Sequence, residues 1–155
     1  MGLFDWFKRR SPPVSADPTF GVLHYEHASW SGRVIFPPVS EEVAVTLESD
    51  GSEPSPLYRG LFEELIRHYP ALRPAIDAAL FELWRPHLED WSGDRPPRAT
   101  SADRLIALTS LDSIIIELTA RIRLGYGFVE GGDWDDATFT IELNDWRVSD
   151  AYLSD

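Results

Sequence analysis

A chain of 155 residues with 43% hydrophobic and 12% aromatic content is long enough to enclose one core and too apolar to be disordered throughout. Its 14 Lys and Arg against 26 Asp and Glu leave a net charge of −12, a field that repels phosphate backbones, so no nucleic acid is expected as a partner. The absence of cysteine excludes disulfides, thiolate metal sites and a cysteine nucleophile, and it fits a cytoplasmic location.

Residues 1–10 set Leu3, Phe4, Trp6 and Phe7 beside Lys8, Arg9 and Arg10, and the Pro/Ser stretch that follows reads as a linker. Residues 1–16 are therefore expected to be a basic, aromatic leader with its linker, and residues 17–155 a single domain. Such a leader suits peripheral contact with a membrane surface. Its shortness favours instead a tail whose aromatics dock on their own domain. Myristoylation of Gly2 is rejected, because Trp6 stands where the motif needs Ser or Thr. No apolar run approaches the roughly 20 residues of a membrane-spanning helix.

From Asp17 the pattern predicts strands at Thr19 to Tyr25, Trp30 to Phe36 and Glu42 to Glu48. Val34 and Phe36 alternate with Arg33 and Ile35, and Val43, Val45 and Leu47 alternate with Ala44, Thr46 and Glu48, as in antiparallel strands with one buried face. Ser55 is a natural N-cap before Pro56, and Leu57, Leu61, Phe62, Leu65, Ile66 and Tyr69 follow at helical spacing. Pro70 and Pro74 predict a break and a second helix, which Pro86 should kink or end early. The segment from Trp91 to Ala99 reads as a loop, and Ser101 caps a short third helix. Strands then return at Ser113 to Leu118, Arg121 to Val129, Thr138 to Leu143 and Trp146 to Tyr152, with Asn144-Asp145 as a tight turn. This order predicts an α+β fold: an antiparallel sheet of N-terminal and C-terminal strands with two or three central helices on one face.

No constellation of residues marks a catalytic, cofactor or metal site. His24 and His27 are three apart and face opposite sides of a strand, while His68 and His87 belong to separate helical stretches, so turn and core roles are preferred to ligation. The run Asp133, Asp135 and Asp136 opens like a calcium loop but has Thr138 and Asn144 where an EF-hand needs Gly and Glu. Gly125-Tyr126-Gly127 lies inside a strand, unlike a phosphate-binding glycine loop, and should let another group lie close to the sheet. The face opposite the helices should carry Arg33, Arg121 and Arg123. These either contact an acidic partner or pair across strands, Arg121 and Arg123 with Glu142 and Glu117.

The segments Asp17-Pro18-Thr19-Phe20-Gly21, Trp30-Ser31-Gly32, Tyr69-Pro70 and Trp134-Asp135 together resemble an uncharacterised bacterial family classed only as a domain of unknown function. The likeness would run from about Asp17 to the end. It implies a small bacterial α+β domain, in the company of proteins some of which are suspected of contact-dependent competition or immunity roles, and it supplies no catalytic residue.

The leading expectation is a non-enzymatic protein that binds another protein, in the manner of an acidic immunity-type inhibitor of a basic toxin, since opposite fields steer fast association. Arg33, Arg121, Arg123, Trp134 and Asp135 are its candidate contact residues. The alternative is a small-ligand binder or enzyme with a pocket between helices and sheet, lined by Tyr69, Trp84 and Trp91. A peripheral membrane protein anchored through residues 1–10 is the third reading. No cofactor is expected.

Overall fold

The computed structural model describes residues 13–51, 53–89, 99–129 and 137–154. Among them lie β1 (Val14–Asp17), β2 (Gly21–Glu26), β3 (Ser29–Phe36), β4 (Glu41–Glu48), α1 (Pro56–Glu89), α2 (Ala102–Leu108), β5 (Thr109–Ile116), β6 (Ile122–Phe128), β7 (Thr138–Asn144) and β8 (Arg147–Ser154). The strands form one eight-stranded sheet in sequence order. Every pairing is antiparallel except that of β4 with β5, where Ala44 to Leu47 run parallel to Ser113 to Ile116. Antiparallel neighbours can be joined by short hairpins, whereas the parallel pair needs a long crossover, and α1 with α2 supplies it. The fold is α+β and dominated by strands.

Alternation places the core. Trp30, Phe36, Val43, Val45, Leu47, Ile114, Ile116, Ile122, Leu124, Tyr126, Phe139, Ile141 and Leu143 are buried, while the residues between them are more exposed or small. On α1 the buried stripe is Tyr58, Phe62, Leu65, Tyr69, Leu72, Ile76, Leu80 and Trp84, at steps of three and four. The stripe meets strand residues of buried parity. Phe62 packs on Phe20 and Phe36, Tyr69 on Phe36, and Trp84 on Phe128 and Phe139.

Three expectations are corrected. The sheet is mostly and not wholly antiparallel, because the helical crossover returns β5 parallel to β4. The break at Pro70 and Pro74 does not occur: α1 is one helix of 34 residues containing Pro70, Pro74 and Pro86. All three prolines are exposed, so the carbonyls of Ile66, Pro70 and Glu82, which lose their amide donors, face the solvent side and can bond to water. A break would instead have taken a continuous buried stripe out of register. The stretch read as a linker likewise contains β1, whose Val14, Ser15 and Ala16 pair with His24, Leu23 and Val22. Four residues with one exposed valine carry no period-two signal of their own, and β2 supplies the template.

The cap readings correspond to the structure. Ser55 Oγ accepts from the Leu57 amide at 3.2 Å, and Ser101 Oγ accepts from Arg104 at 3.2 Å. No helix among the described residues is long and apolar enough to cross a membrane.

Candidate functional site

The outward parity of the sheet carries the predicted arginines, and each has a carboxylate neighbour in the same sheet. Arg33 Nε donates to Glu42 Oε2 at 2.7 Å, between β3 and β4. Arg121 Nη1 reaches Glu142 Oε2 on β7 at 3.4 Å. Arg123 lies between two acids, with Nε at 2.8 Å from Glu117 Oε1, in ionic contact but not aligned as a hydrogen bond, and Nη2 at 3.9 Å from Glu48 Oε1. Burial alone would lower the Arg123 pKa, but the Tyr152 hydroxyl and the Glu117 and Glu48 charges raise it. The guanidinium is thus held in its charged form. The Arg33–Glu42 pair is exposed and contributes at most about 1 kcal/mol, whereas the pairs of Arg121 and Arg123 are partly buried and serve to fix side-chain geometry on the face.

Gly125 and Gly127 on β6 have a direct role on this face. A Cβ at Gly125 would lie 2.3 Å from Ser113 Oγ, and one at Gly127 would lie 2.2 Å from Asp112 Oδ2. The group that lies close to the sheet is therefore the neighbouring strand's own side chains. Asp112 occupies the register shift of β5, between Leu111 paired with Tyr126 and Ser113 paired with Gly125, and Ser110 Oγ donates to its carboxylate at 3.0 Å. Across the sheet the same row reads Arg33, Ala44, Ser113, Gly125, Thr140 and Tyr152, a shallow band between an arginine and a tyrosine.

Tyr69 and Trp84, proposed as pocket walls, are 3% and 1% exposed and use their polar atoms inside the core. The Tyr69 and Tyr126 hydroxyls are 2.8 Å apart, and Arg73 Nη1 donates to the Tyr69 oxygen at 3.4 Å. Arg73 Nε in turn donates to Asp77 Oδ1 at 2.6 Å, which completes a polar chain from β6 through α1 towards solvent. Burial, reinforced by Tyr69, pushes the Tyr126 phenol well above its ordinary pKa. Trp84 Nε1 donates to the Ala99 carbonyl at 2.8 Å. Trp91, Trp134 and Asp135, the leader residues 1–10 and the acidic loop with Asp133 and Asp136 lie outside the described residues.

The histidines are distributed rather than gathered. His27 sits in the β2–β3 turn at φ 51°, His87 stacks near Trp84 with ring centroids 5.5 Å apart, and His68 stacks on Trp146 at 4.6 Å and 11°. Among the described residues no three His, Asp or Glu side chains converge as metal ligands would.

A cavity of about 180 Å³ lies where the β5–β6 and β7–β8 turns approach α1, lined by Leu61, Thr119, Ala120, Ile122, Leu143, Asn144, Asp145 and Trp146. The sequence reading identified Asn144-Asp145 as a turn but not as a wall of a cavity. One signal was available: a two-residue hairpin turn favours Gly at its second central position, and this chain has Trp146 there.

Comparison with protein-family models, with curated proteins and with solved structures finds no match to this chain.

Proposed function

We propose that this chain is a non-enzymatic protein-binding domain that uses the outward face of its sheet to hold a basic protein partner, in the manner of an immunity-type inhibitor. In this reading α1 and α2 cover the face that bears Phe36, Tyr126 and Phe139, and the opposite face is the binding surface. The observation that carries it is the state of the arginines. Arg33, Arg121 and Arg123 each have a carboxylate neighbour within the sheet, so an acidic partner would have to displace Glu42, Glu142 or Glu117.

A basic partner would compete with these arginines for the same carboxylates, but the face carries more acids than Arg33, Arg121 and Arg123 can neutralise. Glu42, Glu48, Asp112, Glu117, Glu142 and Asp150 stand on or beside this face, and the whole chain carries a net charge of −12. Exposed Val22, Ile35 and Tyr152 add apolar contact area to a surface otherwise small and charged, a mixture typical of non-obligate interfaces. Rim charges of this kind set association rate and selectivity more than affinity. A bacterial, cytoplasmic setting fits the cysteine-free composition and belongs to the same proposal.

Affinity capture from the native host, with wild type and with a Glu42→Lys/Glu142→Lys variant side by side, tests it. A basic protein retained by wild type and lost by the folded variant supports the reading. Equal recovery by both, or nothing above background for wild type, removes it.

A further inference from the structure

The cavity at the hairpin end of β5 to β8 is walled in part by turn residues whose backbone the hairpins dictate and whose side chains they do not. Three non-glycine residues on its wall have left-handed backbone: Ala120 at φ 64°, Asp145 at φ 47° and Trp146 at φ 56°. For a residue as bulky as Trp this conformation is a genuine outlier, and left-handed residues cost about 1–2 kcal/mol each. The ring is then fixed from one side, since His68 stacks on it at 4.6 Å while His68 Nε2 lies 3.4 Å from Glu64 Oε2.

The lining divides by chemistry. Leu61, Ile122 and Leu143 are apolar, Trp146 is aromatic, and Asp145, Asn144 and Thr119 are the polar members, Asp145 the one acid. Among the described residues no lysine or arginine lines the cavity, and Arg121 nearby is drawn to Glu142. Ligand pockets for drug-sized molecules and cofactors run to about 300–1,000 Å³. At about 180 Å³ this one has room for a single side chain.

We propose that the cavity is an anchor pocket for one lysine or arginine side chain of the protein partner. Its methylenes lie along Leu61, Ile122 and Leu143, as long cationic side chains do on apolar surface. Its charged head meets the Asp145 carboxylate and the Trp146 ring, by ionic and cation–π attraction. The proposal rests on the protein-binding reading above, with the interface reaching round the β5–β6 and β7–β8 turns to the helix side where Leu61, Ile122 and Leu143 lie, and adds to it the residue type that the partner must present.

The test is an NMR titration of the full chain with the capped tripeptide Gly-Lys-Gly and its Arg, norleucine and Glu counterparts. The Lys or Arg peptide is expected to give saturable shifts of the Trp146 indole and Asp145 amide resonances, with norleucine and Glu weaker by fivefold or more. Asp145→Asn, which keeps a residue that tolerates the left-handed turn, is expected to weaken the Lys peptide about fivefold, the scale of one exposed charge contact with an aromatic wall. Equal binding of norleucine, no saturable shift, or an unchanged affinity in Asp145→Asn overturns the pocket. Failure of the two readings is separable. A captured partner that binds Asp145→Asn as tightly as wild type sinks the pocket and leaves the sheet face standing. Peptide binding with no captured protein makes the site one for free organic cations and removes both the partner and the anchor role.

Discussion

Asp17 at the end of β1 and Arg59 in the first turns of α1 are 42 residues apart in sequence and joined by an Nε to Oδ2 hydrogen bond of 2.9 Å. The second carboxylate oxygen of Asp17 accepts from the amides of Thr19 at 2.8 Å and Phe20 at 3.1 Å, so one buried side chain closes the β1–β2 turn and ties it to the helix. Its side chain is only 2% exposed. Burial alone would raise its pKa, but the two amides and the Arg59 guanidinium together hold it below the ordinary value of 3.8.

That arrangement predicts a stability loss for Asp17→Asn of about 1–3 kcal/mol near neutral pH, from weakened amide bonds and an Arg59 left without its counter-charge. Because the folded carboxyl binds a proton less readily than the unfolded one, its contribution is complete above the unfolded-state pKa and is lost as pH falls through the lower folded-state value. The gap between wild type and variant should therefore narrow as pH drops below the ordinary value of 3.8. Urea unfolding at a series of pH values measures it, and a gap constant with pH would contradict the assignment.

The Tyr69–Tyr126 pair makes a prediction of unequal costs. In Tyr126→Phe the Tyr69 hydroxyl keeps Arg73 as a donor, whereas in Tyr69→Phe the deeper Tyr126 hydroxyl loses the hydroxyl it pairs with. Leaving a buried polar group unsatisfied costs about 1–3 kcal/mol, and removing both partners costs less than the sum. Tyr69→Phe should be the more destabilising single change, and the double variant should fall short of additivity in chemical unfolding. Since the folded pKa of Tyr126 is raised, its neutral form stabilises the fold below the unfolded value and that contribution fades as pH rises. Burial and the Glu48 charge raise Tyr58 as well, so phenolate absorbance during alkaline titration should show late-ionising tyrosines, and Tyr126→Phe should reduce the part released only with unfolding.

Much of this architecture is legible wherever side-chain alternation is strong. Val43, Val45 and Leu47 on β4, or Phe139, Ile141 and Leu143 on β7, declare their buried face without help from the rest of the chain. The parallel contact of β4 with β5 is not legible, because nothing in either strand encodes which neighbour lies across a crossover of two helices. Nor is the shift at Asp112, which inserts one residue into β5 and moves its start back to Thr109 from the expected Ser113. At the candidate sites, the pairing of Arg121 with Glu142 and Arg123 with Glu117 could be read as cross-strand neighbours. The cavity beside Trp146 could not, since Leu61 and Asp145 meet only when the helix is laid on the sheet.

The prolines of α1 follow the same logic, and their exposure makes them testable. A helix-interior proline costs about 3 kcal/mol relative to alanine, part of which is returned because proline also restricts the unfolded chain by about 0.4–1 kcal/mol. Pro70 and Pro74 occupy exposed positions with no core contact to lose. Pro70→Ala and Pro74→Ala should each raise stability by about 1–2 kcal/mol in thermal or urea unfolding. A destabilised Pro70→Ala would show that a bend at this point is needed to seat Tyr69 and Leu72 on the sheet.

Gly125 tests the packing of the outward face most directly. A methyl group there would meet Ser113 Oγ at 2.3 Å, a contact no real Cβ shows, although a serine hydroxyl can rotate away. Gly125→Ala should cost about 1–3 kcal/mol if Ser113 is held in place by its neighbours, the usual range for an overpacked site. Removing the hydroxyl should restore most of it, so Gly125→Ala/Ser113→Ala is expected to lie above the sum of the two single changes by about 1 kcal/mol, as residues in contact couple. Additive singles would mean that Ser113 turns aside freely and that the band across Ala44, Ser113, Gly125 and Thr140 is open to a partner's side chains. A positive coupling means that a partner meets a surface already closed by Ser113, so binding there must read the charged rim on either side and not the glycines beneath.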